Sequence, residues 1–141
     1  MKKVKILLLY FLAEQNQSMS YQVGWVKHFR MHPLFTCYSV NLGDKRKTSW
    51  LSSILRIKHA SYNAVVILHS VFSNSCKLEG RLFELLCKTP QPKTYFIGNE
   101  YKLIPEKIAF CEALDLSLLI TMNPDQRAQS MYKDRLGCEV E

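Results

Sequence analysis

The chain has 141 residues, enough for one domain with a sizeable core. It is 48% apolar with only five glycines and five prolines, which excludes a disordered or fibrous protein, and its formal charge of +7 favours an anionic partner without choosing between nucleic acid, a phosphorylated ligand and an acidic membrane surface. The five cysteines (Cys37, Cys76, Cys87, Cys111 and Cys138) are odd in number and form no Cys-x-x-Cys pair, which argues against a disulfide framework or zinc site and for reduced thiols in a cytoplasmic protein.

The basic head Met1–Lys5 and the apolar run Ile6–Ala13 imitate a secretory signal, but Ala13 leads into Glu14-Gln15-Asn16-Gln17 with no small-x-small cleavage site. The run is also too short to span a bilayer, so Val4–Tyr10 reads as a first buried strand. A helix follows over Ser20–His32, with Val23, Val26, Phe29 and Met31 mainly along one side and Pro33 to stop it. A second strand covers Thr36–Leu42, and a second helix Thr48–Ala60 carries Leu51, Ile54 and Leu55, with Thr48 or Ser49 as its cap. Ala64–His69 is a third strand, and Cys76–Lys88 a helix whose core stripe is Leu78, Leu82, Leu85 and Leu86. The fourth strand is Thr94–Ile97, followed by a helix over Pro105–Asp115. Ser117–Thr121 is the fifth strand. Asn123-Pro124-Asp125 opens a last helix, which stops at Gly137.

Five apolar runs alternating with five helices predict an α/β fold: an open, doubly wound, mainly parallel sheet of about five strands with helices on both faces, Rossmann-like and three-layered. Strand order 3-2-1-4-5 is the first choice, which sets the Phe96 strand beside the first strand at the switch point. Residues 1–141 form one such domain. Gly137–Glu141 resembles the start of a further, unpaired strand, and the expectation is that the chain is the N-terminal part of a longer two-domain protein.

The stretch Thr94–Lys102 is the most informative about a site. Tyr95–Ile97 reads as a strand buried on both faces, and Gly98 breaks it to deliver Asn99, Glu100 and Tyr101 to the carboxyl edge, where open α/β sheets bind ligands. That edge would also collect the loop Ala13–Ser20, then His69-Ser70 and Thr121-Met122-Asn123. Glu100 is the best acid there, able to accept a hydroxyl proton while facing the first-strand loop; the plain alternative is a solvated turn acid. His69 is a candidate base or anion ligand, or a structural histidine.

Other chemistries fail on residues. Phe11–Ser20 contains no glycine, so a dinucleotide Gly-x-Gly-x-x-Gly loop is absent, as is a Gly-Lys-Ser/Thr phosphate loop. A phospho-receiver domain needs acids after the first strand and an aspartate after the third, where this chain has Tyr10-Phe11-Leu12 and His69-Ser70. A flavodoxin-like phosphate loop would have only Ser18 and Ser20. Lys45, Arg46 and Lys47, with Trp50, Arg56, Lys58 and His59, form the strongest charge feature, either a surface for anionic lipid or the solvated face of a helix. Nucleic acid is disfavoured, because the aromatics do not interleave with the cations.

Four segments together resemble the N-terminal domain of a GT-B glycosyltransferase, closest to glycosyltransferase family 4. They are Lys3–Leu9 as first strand, Ser18–Phe29 as a small-residue loop entering an apolar helix, Tyr62–Ser70, which is similar to the family's Tyr-Asp-x-Val-x-x-x-His strand, and Asp115–Val140 before the interdomain crossover. The Gly-Gly pair common in the family's first loop is here Ser18-Met19-Ser20. The resemblance implies an acceptor-side domain of an enzyme that transfers sugar from a nucleotide-sugar donor, the donor being bound by a second, C-terminal domain not present in this chain. It implies Glu100 and His69 as catalytic groups, and Glu14, Asn16, Ser18, Ser20, Asn99 and Asn123 as acceptor contacts. It further implies no metal and no cofactor in this domain and inactivity of the domain alone. The reduced thiols and the basic surface, rather than the resemblance, carry the expectation of a cytoplasmic protein peripheral to the inner membrane face. The alternative from another class is a non-catalytic Rossmann-like module that binds a protein partner or a small anionic ligand.

Overall fold

The computed structural model describes residues 1–13, 20–56 and 61–141. The strands are β1 (Val4–Tyr10), β2 (Phe35–Asn41), β3 (Ala64–Ile67), β4 (Lys93–Ile97), β5 (Leu118–Thr121) and β6 (Glu139–Val140); the helices are α1 (Ser20–Met31), α2 (Lys45–Arg56), α3 (Gly80–Cys87), α4 (Ile104–Leu114) and α5 (Gln126–Leu136). All strands pair in parallel in the order β2-β1-β3-β4-β5-β6. The fold class is the expected α/β with six strands rather than five. The order corrects 3-2-1-4-5: β4 lies between β3 and β5, away from β1, and the switch point falls between β1 and β3. Glu139 and Val140, expected to be unpaired, pair with Leu118 and Leu119.

The register explains the sheet. One row, Val40–Leu9–Ile67–Tyr95–Leu119–Val140, crosses all six strands. Every member is buried. This row faces α2, α3, α4 and α5, whose Leu51, Leu86, Phe110, Cys111, Leu114 and Tyr132 share its core. Each such side chain contributes roughly 1.5–3 kcal/mol by leaving water. The neighbouring row, Ser39–Leu8–Val66–Thr94–Leu118–Glu139, faces the other way. There α1 brings Val26 and Phe29 onto a small cluster with Ile6, Leu8, Val66 and Leu68. Burial fades along that row to half-buried Thr94 and Leu118 and exposed Glu139. The expectation that Tyr95–Ile97 is buried on both faces is therefore corrected: Tyr95 and Ile97 are buried, whereas Phe96 is half-buried against Trp25 and Phe29. The asymmetry follows from right-handed crossovers, since β1 to β2 steps one way across the sheet and every later connection steps the other.

Three helix starts differ from the periodicity. α2 begins at Lys45 because Asp44 caps it, its Oδ1 accepting from the amides of Arg46 (2.9 Å) and Lys47 (3.4 Å). The Thr48 and Ser49 hydroxyls instead donate back to the Lys45 carbonyl. α3 begins only at Gly80, since Phe72 and Cys76 form an antiparallel bridge that occupies the preceding stretch. At α5 the cap is Asp125, whose Oδ1 accepts from the Arg127 amide at 2.9 Å. Gly137 ends that helix in the left-handed conformation, as expected.

Candidate functional site

Parallel pairing puts the ends of β1, β3, β4 and β5 on one edge. The end of β3 is tied to β1 by the Ser70 hydroxyl, which accepts from the Phe11 amide at 3.0 Å. On the other flank, Asn41 Oδ1 accepts from the Leu12 amide (3.0 Å) while its Nδ2 donates to the Leu12 carbonyl (3.0 Å), extending the β1–β2 pairing through a side chain. His69 stands in the short 3-10 turn His69–Val71 just past β3, half-buried, and burial lowers its pKa below the ordinary histidine value.

Gly98 follows β4 and lies against that turn. A Cβ at Gly98 would come within 2.9 Å of the His69 Cβ, so its glycine is required by a close approach. The left-handed residue of the turn is Asn99 (φ 47°), and Leu103 (φ 54°) is a second. Conformations of this kind cost of order 1–3 kcal/mol and need external support. Lys107 of α4 supplies it: fully buried, it donates from Nζ to the carbonyls of Gly98 (2.8 Å) and Asn99 (2.9 Å). Burial lowers the Lys107 pKa, and the Glu100 carboxylate opposes that shift. The Asn99 amide group donates to Ser73 Oγ and, at 3.3 Å, to Asn74 Oδ1.

Glu100 is at the carboxyl edge, just past β4 and Gly98; the loop it was expected to face lies largely outside the described residues. Its Oε1 accepts from the Thr121 hydroxyl and its Oε2 from the Tyr132 hydroxyl at 2.8 Å. It thereby joins the β4–α4 loop to β5 and α5. The Tyr132 phenol is pushed well above its ordinary pKa, first by burial and then by the Glu100 carboxylate that accepts its proton. Thr121 Oγ1 also accepts from the Asn123 amide at 3.0 Å. Asn123 in turn accepts from the Asp125 amide at Oδ1 (3.0 Å) and from Gln129 Nε2 at its carbonyl (3.1 Å), so its side chain shapes the entry to α5.

Glu100, Thr121 and Asn123 thus form one hydrogen-bonded chain, and His69 packs against Gly98, the residue before Asn99. Glu14, Asn16 and Ser18 lie outside the described residues; Ser20 is the first residue of α1. Lys45, Arg46 and Lys47 are exposed on the first turn of α2, Arg56 is exposed in its last, and Lys58 and His59 lie outside the described residues. Among the described residues no group of His, Cys, Asp or Glu could hold a metal ion, and no helix is long and apolar enough to cross a membrane.

Sequence reasoning put Ser70 and Thr121 on this edge without their bonds, and missed Lys107, Tyr132 and Asn41. A signal existed for Lys107 alone: it occupies a core position of α4 beside Ile104, Ile108 and Cys111. The others act over long sequence separations and carry no local mark. No family model matches the chain, and neither the curated proteins nor the solved structures contain one that matches it.

Proposed function

We propose that the chain is the acceptor-side domain of a GT-B-like glycosyltransferase, with the nucleotide-sugar donor bound by a second domain and sugar transferred to an acceptor at the carboxyl edge of the sheet. The observation that carries the reading is His69: it follows β3 in the crevice beside the end of β1, and burial favours its neutral imidazole near pH 7. A neutral imidazole at this position accepts the proton of an acceptor hydroxyl. Glu100, with both oxygens engaged by Thr121 and Tyr132, serves as a positioning residue. Asn99 and Asn123 hold the loops that frame the acceptor.

The test uses the protein as its gene encodes it, with UDP-glucose, UDP-N-acetylglucosamine and GDP-mannose as donors, saccharide and lipid acceptors, and nucleotide release as readout. Transfer that falls roughly a hundredfold or more in His69→Gln at an unchanged melting temperature supports the reading. Transfer unaffected by His69→Gln overturns the role of His69, and no turnover of any donor overturns the enzyme in favour of a binding module.

A further inference from the structure

The charge excess has a second location besides α2. On the α1 face, a cleft of about 480 Å³ runs between the end of β1 and the flank of α1, lined by Tyr10, Leu12, Val26, Lys27, Arg30 and Met31. That volume falls in the range of small-molecule sites, roughly 300–1,000 Å³. Its walls divide by chemistry. Leu12, Val26 and Met31 are apolar, and Met31 is 70% exposed. Lys27 and Arg30, one helical turn apart, place two cations on the same wall.

Neither cation has a carboxylate within ion-pair distance among the described residues, where the ion pair present is Arg135 with Glu112 at 3.5 Å. Asp44 acts on the Tyr10 phenol in the cleft, against Arg30. Asp44 is occupied by the amides of Arg46 and Lys47 at the start of α2. Arg30 also acts on the half-buried Cys37 thiol of β2, which places its charge over the β1–β2 side of the sheet. A concave apolar wall bordered by two cations with no carboxylate partner among the described residues matches one class of ligand, an anionic group carried on an alkyl body.

We infer that this cleft binds an anionic amphiphile: a carboxylate or phosphate held by Arg30 and Lys27, with its hydrocarbon against Leu12, Val26 and Met31. The guanidinium fork of Arg30 suits either oxyanion. This site is independent of the sugar-transfer reading, since it uses none of His69, Glu100, Asn99 or Asn123.

The intact chain is titrated with decanoate, n-decyl phosphate, n-decanol and inorganic phosphate, all below micellar concentrations, by calorimetry with amide chemical shifts alongside. Saturable binding of decanoate or decyl phosphate, at least tenfold tighter than decanol and inorganic phosphate, is expected, with shifts centred on Val26–Met31 and Tyr10. Preference between the two anions distinguishes a fatty acid from a lipid phosphate. Arg30→Gln and Lys27→Gln should each weaken the anions about tenfold and leave decanol unchanged, and Met31→Ser should weaken every alkyl ligand. These side chains are exposed, so melting temperatures should hold. Arg46→Gln on α2 should have no effect. Equal affinity for decanol and the anions, indifference to Arg30→Gln, or loss on Arg46→Gln would each overturn the assignment, as would the absence of saturable binding.

Discussion

Replacing Glu100 by Gln is nearly isosteric, and a solvated turn acid would tolerate it within about 0.5 kcal/mol. The structure predicts a larger effect. Both oxygens accept from hydroxyl groups, those of Thr121 and Tyr132. Hydrogen bonds to a charged partner contribute about 1.5–3 kcal/mol and neutral ones about 0.5–1.5, so neutralising the carboxylate weakens each by roughly 1 kcal/mol. The Gln amide nitrogen must also face one hydroxyl as a donor, forcing it to reverse. A loss of about 2 kcal/mol corresponds to a fall in melting temperature of roughly 6 °C at this chain length. The assay is thermal and urea unfolding of wild type, Glu100→Gln, Tyr132→Phe and the double variant. Coupling between the two sites should lie in the range of about 0.5–3 kcal/mol seen for residues in contact. A Glu100→Gln melt within about 1 °C of wild type, or additive single effects, would refute the clamp and return Glu100 to the solvent.

Four further outcomes follow from the same edge and its flanks. Gly98→Ala should cost about 1–3 kcal/mol by urea unfolding, because the new Cβ meets the His69 Cβ at 2.9 Å, and most of that cost should vanish in a His69→Gly background. Lys107→Met leaves the Gly98 and Asn99 carbonyls without their donor, and a drop of roughly 3 kcal/mol in unfolding free energy is expected. Asp44→Ala should cost about 1 kcal/mol and Asp44→Asn much less, since Asn also caps. Because the folded-state pKa of His69 lies below its unfolded value of about 6.5, the unfolded chain takes up the proton first; stability should fall as pH drops through 6.5 toward the folded pKa, more in wild type than in His69→Gln, as measured by urea unfolding across that range.

The strands were legible because five of them are short runs rich in Val, Ile, Leu and Tyr, and β1 matches its expected bounds, Val4–Tyr10. Strand order was not, because amphipathicity in α1 or α2 says that a helix covers a sheet and not which way its crossover steps. β6 was misread for a related reason: two residues cannot show a period, and only the parallel partner β5 makes Glu139 and Val140 a strand. At the site, Gly98 was correctly singled out, but the feature that fixes it is His69, far away in sequence. Glu100 was placed at the right edge, but its partners Thr121 and Tyr132 could not be read, since they are joined to it only by folding. Asn123 resembled a helix cap and stands two residues before one, its side chain accepting from the Asp125 amide.

The uneven covering of the sheet has a consequence for how the molecule opens. Among the described residues, the core against α2–α5 unites twenty-one buried side chains and the cluster beneath α1 only five. Lifting α1 therefore uncovers only the smaller cluster while the larger core stays assembled, and the free energy of that local opening lies below that of global unfolding. Amides of α1 should exchange with solvent through a separate, cheaper fluctuation, while those of β1 and β3 persist because their other face remains assembled. Any ligand seated along α1 would act on that fluctuation first, slowing exchange there by a factor that rises with free ligand over Kd and leaving the rest of the molecule unchanged.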